Sequence, residues 1–130
     1  MSGPVLDRLD LQIEVPALTS EELLFASIAE SSASVRERVL VARRHQRERG
    51  VLNAVLTNVA LREHCALDSV GRQLLADAVD RGGMSARAVH RALRVARTIA
   101  DLAGEQRVTT MQIAEALQYR AYESRRTANA

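Results

Sequence analysis

Apolar residues recur at helical spacing along most of the chain. From residue 34 onward they repeat at i, i+3 and i+4, with polar or glycine-containing breaks between the repeats, which is typical of amphipathic helices. The pattern predicts helices over residues 35–49, 53–64, 69–81, 86–103 and from about 110 to 119. The chain should therefore fold mainly as a small bundle of four to five helices.

The predicted helix ends carry the residue types that helix ends need. Side-chain oxygens that can cap N-terminal N–H groups precede the starts, and glycine, which enters the left-handed conformation without strain, follows several stops. The candidate caps are Ser32 and Ser34, Asp68, Ser85, and Thr109 or Thr110, and the candidate stops are Gly50, Gly82 with Gly83, and Gly104.

Residues 10–15 follow a different pattern, because Leu11, Ile13 and Val15 alternate with polar residues and Pro16 ends the run. A period of two predicts a β-strand. No second strand signal occurs in the sequence, and a lone strand leaves its backbone groups unpaired. We therefore expect an all-α fold with one leftover β-strand in the N-terminal segment, from a sheet whose other strands are absent.

Composition excludes several function classes. All 18 basic residues are arginine, against 16 acidic residues, so the formal net charge is +2. The lack of lysine rules out a P-loop, Schiff-base chemistry and a lysine general base. Aromatic residues make up 2% of the chain, which disfavours recognition of single strands by base stacking.

Hydropathy and cysteine content bear on the compartment. The apolar runs fall far short of the ~20 residues of a membrane span, and no signal peptide is recognisable. The single cysteine cannot form an internal disulfide and suits a reducing compartment. We expect a cytoplasmic protein with no membrane partner.

Charge divides the chain near residues 31–34. Residues 1–33 hold one arginine against six acidic residues, a net charge of −5, whereas residues 34–130 carry +7. The same point separates the segment that contains both prolines from the helical repeats. We predict two parts, 1–33 and 34–130. The first should be poorly ordered alone or pressed against the helices, because its partner strands are absent.

The predicted helix over 86–103 has an apolar side and a strongly basic side. Its core-facing stripe consists of Val89, Ala92, Leu93, Ala96, Ile99, Ala100 and Ala103. The opposite side holds Arg87, Arg91 and Arg94, with Arg97 at its flank. One interpretation is a solvated face whose acidic partners come from Asp77, Asp80 or Glu115. The other is an anion site, since free N–H groups and the helix dipole in the first turn also attract phosphate.

A second basic surface is predicted on the helix over 35–49, which holds six arginines and two glutamates. Such a face can neutralise nucleic-acid phosphates. The candidate contacts are Arg36, Arg43, Arg44 and Arg47. The alternative is a solvated helix with internal Arg–Glu pairs. Any DNA binding should be weak, sequence-independent and strongly salt-dependent, because aromatic residues and a helix-turn-helix are lacking.

No catalytic or metal-binding constellation is recognisable. His45, His64 and His90 are far apart, and no Cys-x-x-Cys or His-Glu-x-x-His spacing occurs, so we expect no metal site. Cys65 has no candidate base beside it and should be a small buried apolar residue. Together with the lack of a Gly-x-Ser-x-Gly elbow, this predicts that the chain alone is not an enzyme.

Three stretches in order carry a family resemblance. The chain begins with SGPVLDRLD over 2–10, and SARAVHRALRVARTIADLAGE over 85–105 is followed by IAEALQYR over 113–120. With residues 32–44, Asn53 and CALD over 65–68, they resemble the C-terminal region of bacterial Mg-chelatase-related AAA+ ATPases of the ComM/YifB type. The resemblance covers nearly the whole chain.

The resemblance implies a hexameric ring with an α/β core, a helical lid and ATP with Mg bound between neighbouring subunits. By this resemblance Arg8 matches the arginine finger that reaches the γ-phosphate in the adjacent subunit. Arg87 matches the sensor-2 arginine of the lid, which contacts the nucleotide phosphates of its own subunit, and Ser85 and Arg91 lie in the same motif. A guanidinium suits both roles, because its permanent charge can neutralise a transferring phosphoryl group.

The sequence differs from the family in the parts it lacks. The Walker A lysine loop, the Walker B acids and the N-terminal protease-like domain are not found, so we expect no ATP hydrolysis and no tight ATP binding by this chain alone. It resembles a shortened form that holds the end of the AAA+ core and the lid, with the core and neighbouring subunits as partners. For Arg8 an ion pair with Asp7 or Asp10 is the alternative. The family's association with DNA handling keeps DNA as the alternative partner.

Overall fold

Helices make up all the regular structure in the computed structural model of the protein, which describes residues 8–25 and 29–120. These ranges contain six α-helices and one short 3₁₀ helix. The elements are α1 (Ser20–Phe25), α2 (Ser32–Glu48), the 3₁₀ helix (Asn53–Val55), α3 (Asn58–His64), α4 (Ser69–Asp80), α5 (Ala86–Leu102) and α6 (Thr110–Gln118). No helix within the described residues is long and apolar enough to cross a membrane.

Local capping chemistry explains most of the helix starts. Asp68 and Ser85 cap α4 and α5 as predicted, and their side chains accept hydrogen bonds from Gly71 N at 2.7 Å and Ala88 N at 3.2 Å. The cap predicted for α2 was wrong, because Ser31 fills that position and accepts from Ser34 N at 3.2 Å. A run of serines offers the same chemistry at several positions, so the pattern alone could not select among them.

The helix predicted over 53–64 is broken in two. The 3₁₀ helix ends at Val55, Leu56 takes an extended conformation, and Thr57 caps α3. Leu56 is fully buried, and its carbonyl accepts two hydrogen bonds from the Arg94 side chain. Tertiary contacts therefore stabilise the break against the helical tendency of the local sequence.

The predicted strand over residues 10–15 is wrong, since the structure assigns no strand to any described residue. A backbone hydrogen bond instead ties this run to the end of α6, from Gln12 N to Tyr119 O at 2.9 Å. Leu11, Ile13 and Val15 are 50%, 67% and 84% exposed. An alternating pattern becomes a strand only beside another strand, and the described residues provide none.

Helix α5 lies at the centre of the bundle and contacts α2, α3, α4, α6 and the 3₁₀ helix. Its core positions are Ala92, Ala96 and Ala100, each at most 1% exposed. Small residues at i, i+4 and i+8 let neighbouring helices approach closely along one face. The larger side chains of the core come from the surrounding elements: Leu56, Leu61, Leu75, Val108 and Ile113. The predicted apolar stripe on α5 is confirmed at these three alanines and at three partly buried residues that pack against the core, Val89, Leu93 and Ile99. Ala103 is exposed.

A charged group is buried in the same bundle. Arg97 and Asp101 are 2% and 1% exposed and form an ion pair at 3.0 Å along α5. The remaining N–H groups of Arg97 donate to three backbone carbonyls, those of His64 at 3.2 Å, Glu105 at 2.6 Å and Gln106 at 2.9 Å. Burial of a guanidinium is tolerated only when its donors are satisfied in this way.

The other side of Asp101 is bound by the end of α2 and the 3₁₀ helix. Arg49 donates to both carboxylate oxygens, with 2.9 Å from Nη1 to Oδ1. Asn53 donates to Oδ2 at 2.8 Å and accepts from Arg49 at 2.9 Å. Asn53 N also donates to the side chain of buried Gln46 at 3.1 Å. One carboxylate thus connects three separate parts of the chain.

The titration of Asp101 follows from this geometry. Burial alone would raise the pKa of Asp101, but the hydrogen bonds from Arg49 and Asn53 and the charge of Arg97 outweigh it, so the pKa lies below its usual value. Because the folded pKa is lowered, the stabilisation is present above the ordinary pKa of an aspartate and is lost as the pH falls through the lowered value.

We predict that Asp101→Asn lowers the free energy of unfolding by about 3–5 kcal/mol, because it leaves the buried guanidinium of Arg97 and the partly buried one of Arg49 without their shared counter-ion. The measurement is urea unfolding followed by far-UV circular dichroism at neutral pH. Asp77→Asn is the matched control, since its carboxylate lies 4.0 Å from the exposed Arg81. That change should cost no more than about 0.5 kcal/mol. Equal effects of the two substitutions would contradict the structural role of Asp101.

Candidate functional site

The first turn of α5 is held in place by the chain that leads into it. Gly83 adopts a left-handed conformation with φ of +65° after α4, and Met84 N donates to Ala78 O at 3.2 Å. Ser85 then caps α5. Arg87 follows in the first turn with an exposed side chain. The capped turn therefore presents Arg87 to solvent, on the side of α5 where the sequence places the basic residues.

An open depression of about 320 Å³ lies along this end of α5. Its walls are formed by Arg87, His90, Arg91 and Arg94 of α5 and by Asn58 at the start of α3. None of the described residues that line it is acidic, so three permanent positive charges face one small volume. The arrangement fits an anion with several oxygens, such as a phosphate group.

The four α5 residues contribute in different ways. Arg94 donates from Nε and Nη2 to Leu56 O at 3.1 and 2.8 Å, so its main task is to hold residues 56–58 against α5. This contact places Asn58 in the wall of the depression. His90 lies three residues after Arg87, and this spacing could have placed it on the same side of the helix. The sequence drew attention to the histidines only as possible metal ligands, so His90 was missed as a lining residue. Asn58 could not be found from the sequence, because only the tertiary structure brings it here.

Arg91 is paired with the N-terminal segment. Its Nη1 atom lies 3.4 Å from Asp10 Oδ1, and the side chains are 17% and 61% exposed. The Nη1 atom is enclosed but donates no hydrogen bond to a described residue. The acidic partners expected from the sequence do not serve here. Asp77 accepts from Gln73, Glu115 accepts from Tyr119, and Asp80 is exposed with no ion pair among the described residues.

Two further arginines of interest lie away from the depression. Arg97, expected at the flank of the basic side, is instead buried with Asp101. The helical period predicts only the angle of Arg97 around the helix axis. It could not show that backbone carbonyls of other segments surround the Arg97 side chain. Arg8 is exposed and does not line the depression. Asp10 pairs with Arg91 and not with Arg8, while Asp7 lies outside the described residues.

The basic side of α2 divides into paired and unpaired arginines. Arg38 forms an ion pair with Glu30, with 3.0 Å between Nη2 and Oε2, and Arg49 belongs to the Asp101 cluster. The four predicted nucleic-acid contacts, Arg36, Arg43, Arg44 and Arg47, are exposed and form no ion pair with any described residue. At 100° per residue, three of them share one narrow stripe: Arg36, Arg43 and Arg47.

The remaining reactive side chains form no site. No group of three or more potential metal ligands occurs among the described residues. Cys65 is 3% exposed, and its Sγ lies 3.6 Å from Leu93 O. Burial raises the pKa of the Cys65 thiol to about 11. It is an inert core residue, as the sequence predicted, and not a nucleophile.

Comparison with known proteins identifies the class. The family "Magnesium chelatase, subunit ChlI C-terminal" matches residues 29–120. Competence protein ComM of Haemophilus influenzae is 47% identical over 123 residues, which is 93% of this chain and 24% of that protein. Uncharacterized protein YifB of Escherichia coli is 41% identical over 124 residues, again 93% and 24%. An uncharacterized Mycobacterium bovis protein is 37% identical over 97% of this chain and 26% of its own length.

The chain therefore belongs to the Mg-chelatase-related family, and it corresponds to the C-terminal region of its ComM/YifB type. It spans about a quarter of the length of the curated relatives that it matches. The family resemblance stated from the sequence is confirmed.

We predict that Cys65 reacts with Ellman's reagent at pH 8 only after the chain is unfolded, because the folded thiol is buried and its pKa is raised to about 11. Absorbance would follow the released thiolate in buffer and in concentrated urea. Rapid labelling of the native protein would show that the core around Cys65 opens readily.

Proposed function

We propose that the chain is the C-terminal helical lid of a Mg-chelatase-related AAA+ ATPase, with Arg87 as a contact to the nucleotide phosphates of its own subunit. The single observation that carries this proposal is the depression at the start of α5, which three arginines line and no described acidic residue enters. Family membership supplies the context in which such an anion site acts on ATP with Mg.

Arg87 is the residue of this group most suited to bind a ligand. Arg94 is engaged with Leu56 O and Arg91 lies beside Asp10. Arg87 is exposed, and no hydrogen bond or ion pair joins its side chain to another described residue. It lies in the first turn of a 17-residue helix, where the helix dipole reinforces attraction to an anion. Ser85 keeps its hydroxyl hydrogen as a donor while its oxygen caps the helix.

The remaining roles in the proposal come from the family resemblance. Arg8 would act in trans as the arginine finger of a neighbouring subunit within a hexameric ring. Residues 1–33 would belong to the end of the AAA+ core and 34–130 to the lid. Hydrolysis would need the core of the parent protein, so the chain alone would bind nucleotide weakly and would not turn it over.

We predict that adding ATP with Mg to the chain shifts amide resonances around residues 85–91, and that Arg87→Ala removes these shifts. The reason is that the substitution removes the one exposed guanidinium in the first turn of α5. Heteronuclear NMR titration at low salt measures both. Arg62→Ala is the matched control, because Arg62 is an exposed helical arginine outside the depression. Shifts that persist in Arg87→Ala, or that vanish equally in Arg62→Ala, would contradict the assignment.

A second candidate function is non-specific DNA binding by α2. The observation that favours it is the stripe of Arg36, Arg43 and Arg47, which no described acidic residue neutralises. Arg44 lies beside the stripe. Such a surface would bind the phosphate backbone with release of counterions and would carry no sequence preference.

For this candidate we predict that duplex DNA binding weakens steeply with salt, and that the triple change of Arg36, Arg43 and Arg47 to Gln makes the dependence shallower. The slope of log K against log salt should fall by about 0.9 for each phosphate that the variant no longer neutralises. Fluorescence anisotropy with a labelled duplex measures this slope. A control that changes Arg62, Arg72 and Arg81 to Gln removes the same charge elsewhere. The same slope in both triple variants would exclude α2 as the contact surface.

A further inference from the structure

Asp10 occupies a position at the anion site that nothing in the family resemblance assigns. It is the one acidic residue, among those described, that forms an ion pair with an arginine of the depression, at 3.4 Å from Arg91 Nη1. Asp10 is not itself part of the wall. Its carboxylate therefore approaches Arg91 from outside and bears the same charge as a phosphate oxygen.

Backbone contacts hold Asp10 in this place from both sides. The Arg120 side chain donates to Leu9 O at 3.1 Å, and Gln12 N donates to Tyr119 O at 2.9 Å. Residues 9–12 are thereby attached to the end of α6. Beyond them Ile13 and Val15 are largely exposed. The attachment is thus short and local, and the Asp10–Arg91 ion pair extends it to α5.

The Arg91 side chain is incompletely satisfied by this pair. The enclosed Nη1 atom lies near the carboxylate but makes no hydrogen bond within the described residues. A guanidinium forms short, strong hydrogen bonds with anionic oxygens. An anion oxygen placed to accept from Nη1 would therefore compete with the Asp10 carboxylate, which lies nearby without accepting a hydrogen bond from it. Arg87 lies one helical turn before Arg91, and side chains at i and i+4 are neighbours on a helix. An anion at Arg87 would therefore compete with Asp10 for Arg91.

We propose that Asp10 is a built-in competitor for Arg91, so that an anion bound at the start of α5 displaces Asp10 and loosens residues 9–12 from the bundle. The inference rests on the proposed phosphate site and deepens it.

The consequence of this competition concerns Arg8, which lies two residues before Asp10. An anion bound in the depression of one subunit would release the segment next to Arg8. By the family resemblance, Arg8 is the arginine that acts on the neighbouring subunit.

The test is an NMR titration of the chain with inorganic pyrophosphate at low salt, in the wild type and in Asp10→Asn. Removal of the competing charge should tighten binding about two- to fivefold, the range for a partly exposed ion pair. Glu14→Gln is the matched control, because Glu14 is an exposed acid of the same segment with no partner among the described residues. It should leave the affinity unchanged within about 1.5-fold, since Glu14 is exposed and forms no ion pair with an arginine of the depression, and such surface charges contribute little.

Two further readouts separate competition from a general charge effect. In the Arg91→Ala background, Asp10→Asn should no longer change the affinity. In the wild type, saturation with pyrophosphate should also shift the amides of Gln12 and Arg120, which lie at the attachment of the segment. Both results would support the proposal.

The inference and the proposed function fail in distinguishable ways. Binding that depends on Arg87 but is equally strong in the wild type, Asp10→Asn and Glu14→Gln would overturn the role of Asp10 alone. Equal tightening by Asp10→Asn and Glu14→Gln would do the same, because it would show only bulk electrostatics. No Arg87-dependent binding in any variant would overturn the phosphate site and the competition together.

Discussion

The buried carboxylate of Asp101 holds the helical bundle together at its centre. It receives Arg97 from its own helix and Arg49 from the end of α2, while Asn53 closes the third side. The guanidinium of Arg97 is almost fully buried, and leaving its donors unpaired would be costly, so the carbonyls of residues 64, 105 and 106 must lie where Arg97 can reach them. One cluster thereby sets the positions of the end of α3 and the loop before α6.

Burial changes progressively along the arginines of α5, and this gradient assigns them different tasks. Arg97 is buried and structural, Arg94 ties the break before α3 to the helix, Arg91 meets the N-terminal segment, and Arg87 is exposed. The alanine face permits this, because it packs into the bundle on one side of α5 and leaves Arg87, on the other side of the first turn, at the surface. The same helix therefore organises the core and presents the candidate anion site.

Much of the fold could be predicted from local chemistry. The starts of α4 and α5, the apolar alanine face and the inert Cys65 were all visible, because capping and helical period depend on neighbouring residues. Arg87 as an exposed arginine of the first turn was visible for the same reason. The strand over 10–15 and the unbroken helix over 53–64 were wrong. In both cases the outcome depends on partners distant in sequence. No described residue forms a second strand beside residues 10–15, and the side chain of Arg94 binds Leu56 O at the break.

The helical character of the chain, most helix ends, the basic side of α5 and the family all follow from the order of the amino acids alone. Which arginine is buried, which one holds a loop and which one meets Asp10 depend instead on the packed fold. Periodicity gives the angle of a side chain around its own helix, but the partner of a charge is set by segments that the fold brings together. The pair of Arg49 with Asp101, 52 residues apart, and the place of Asn58 in the same wall as Arg87 are such cases.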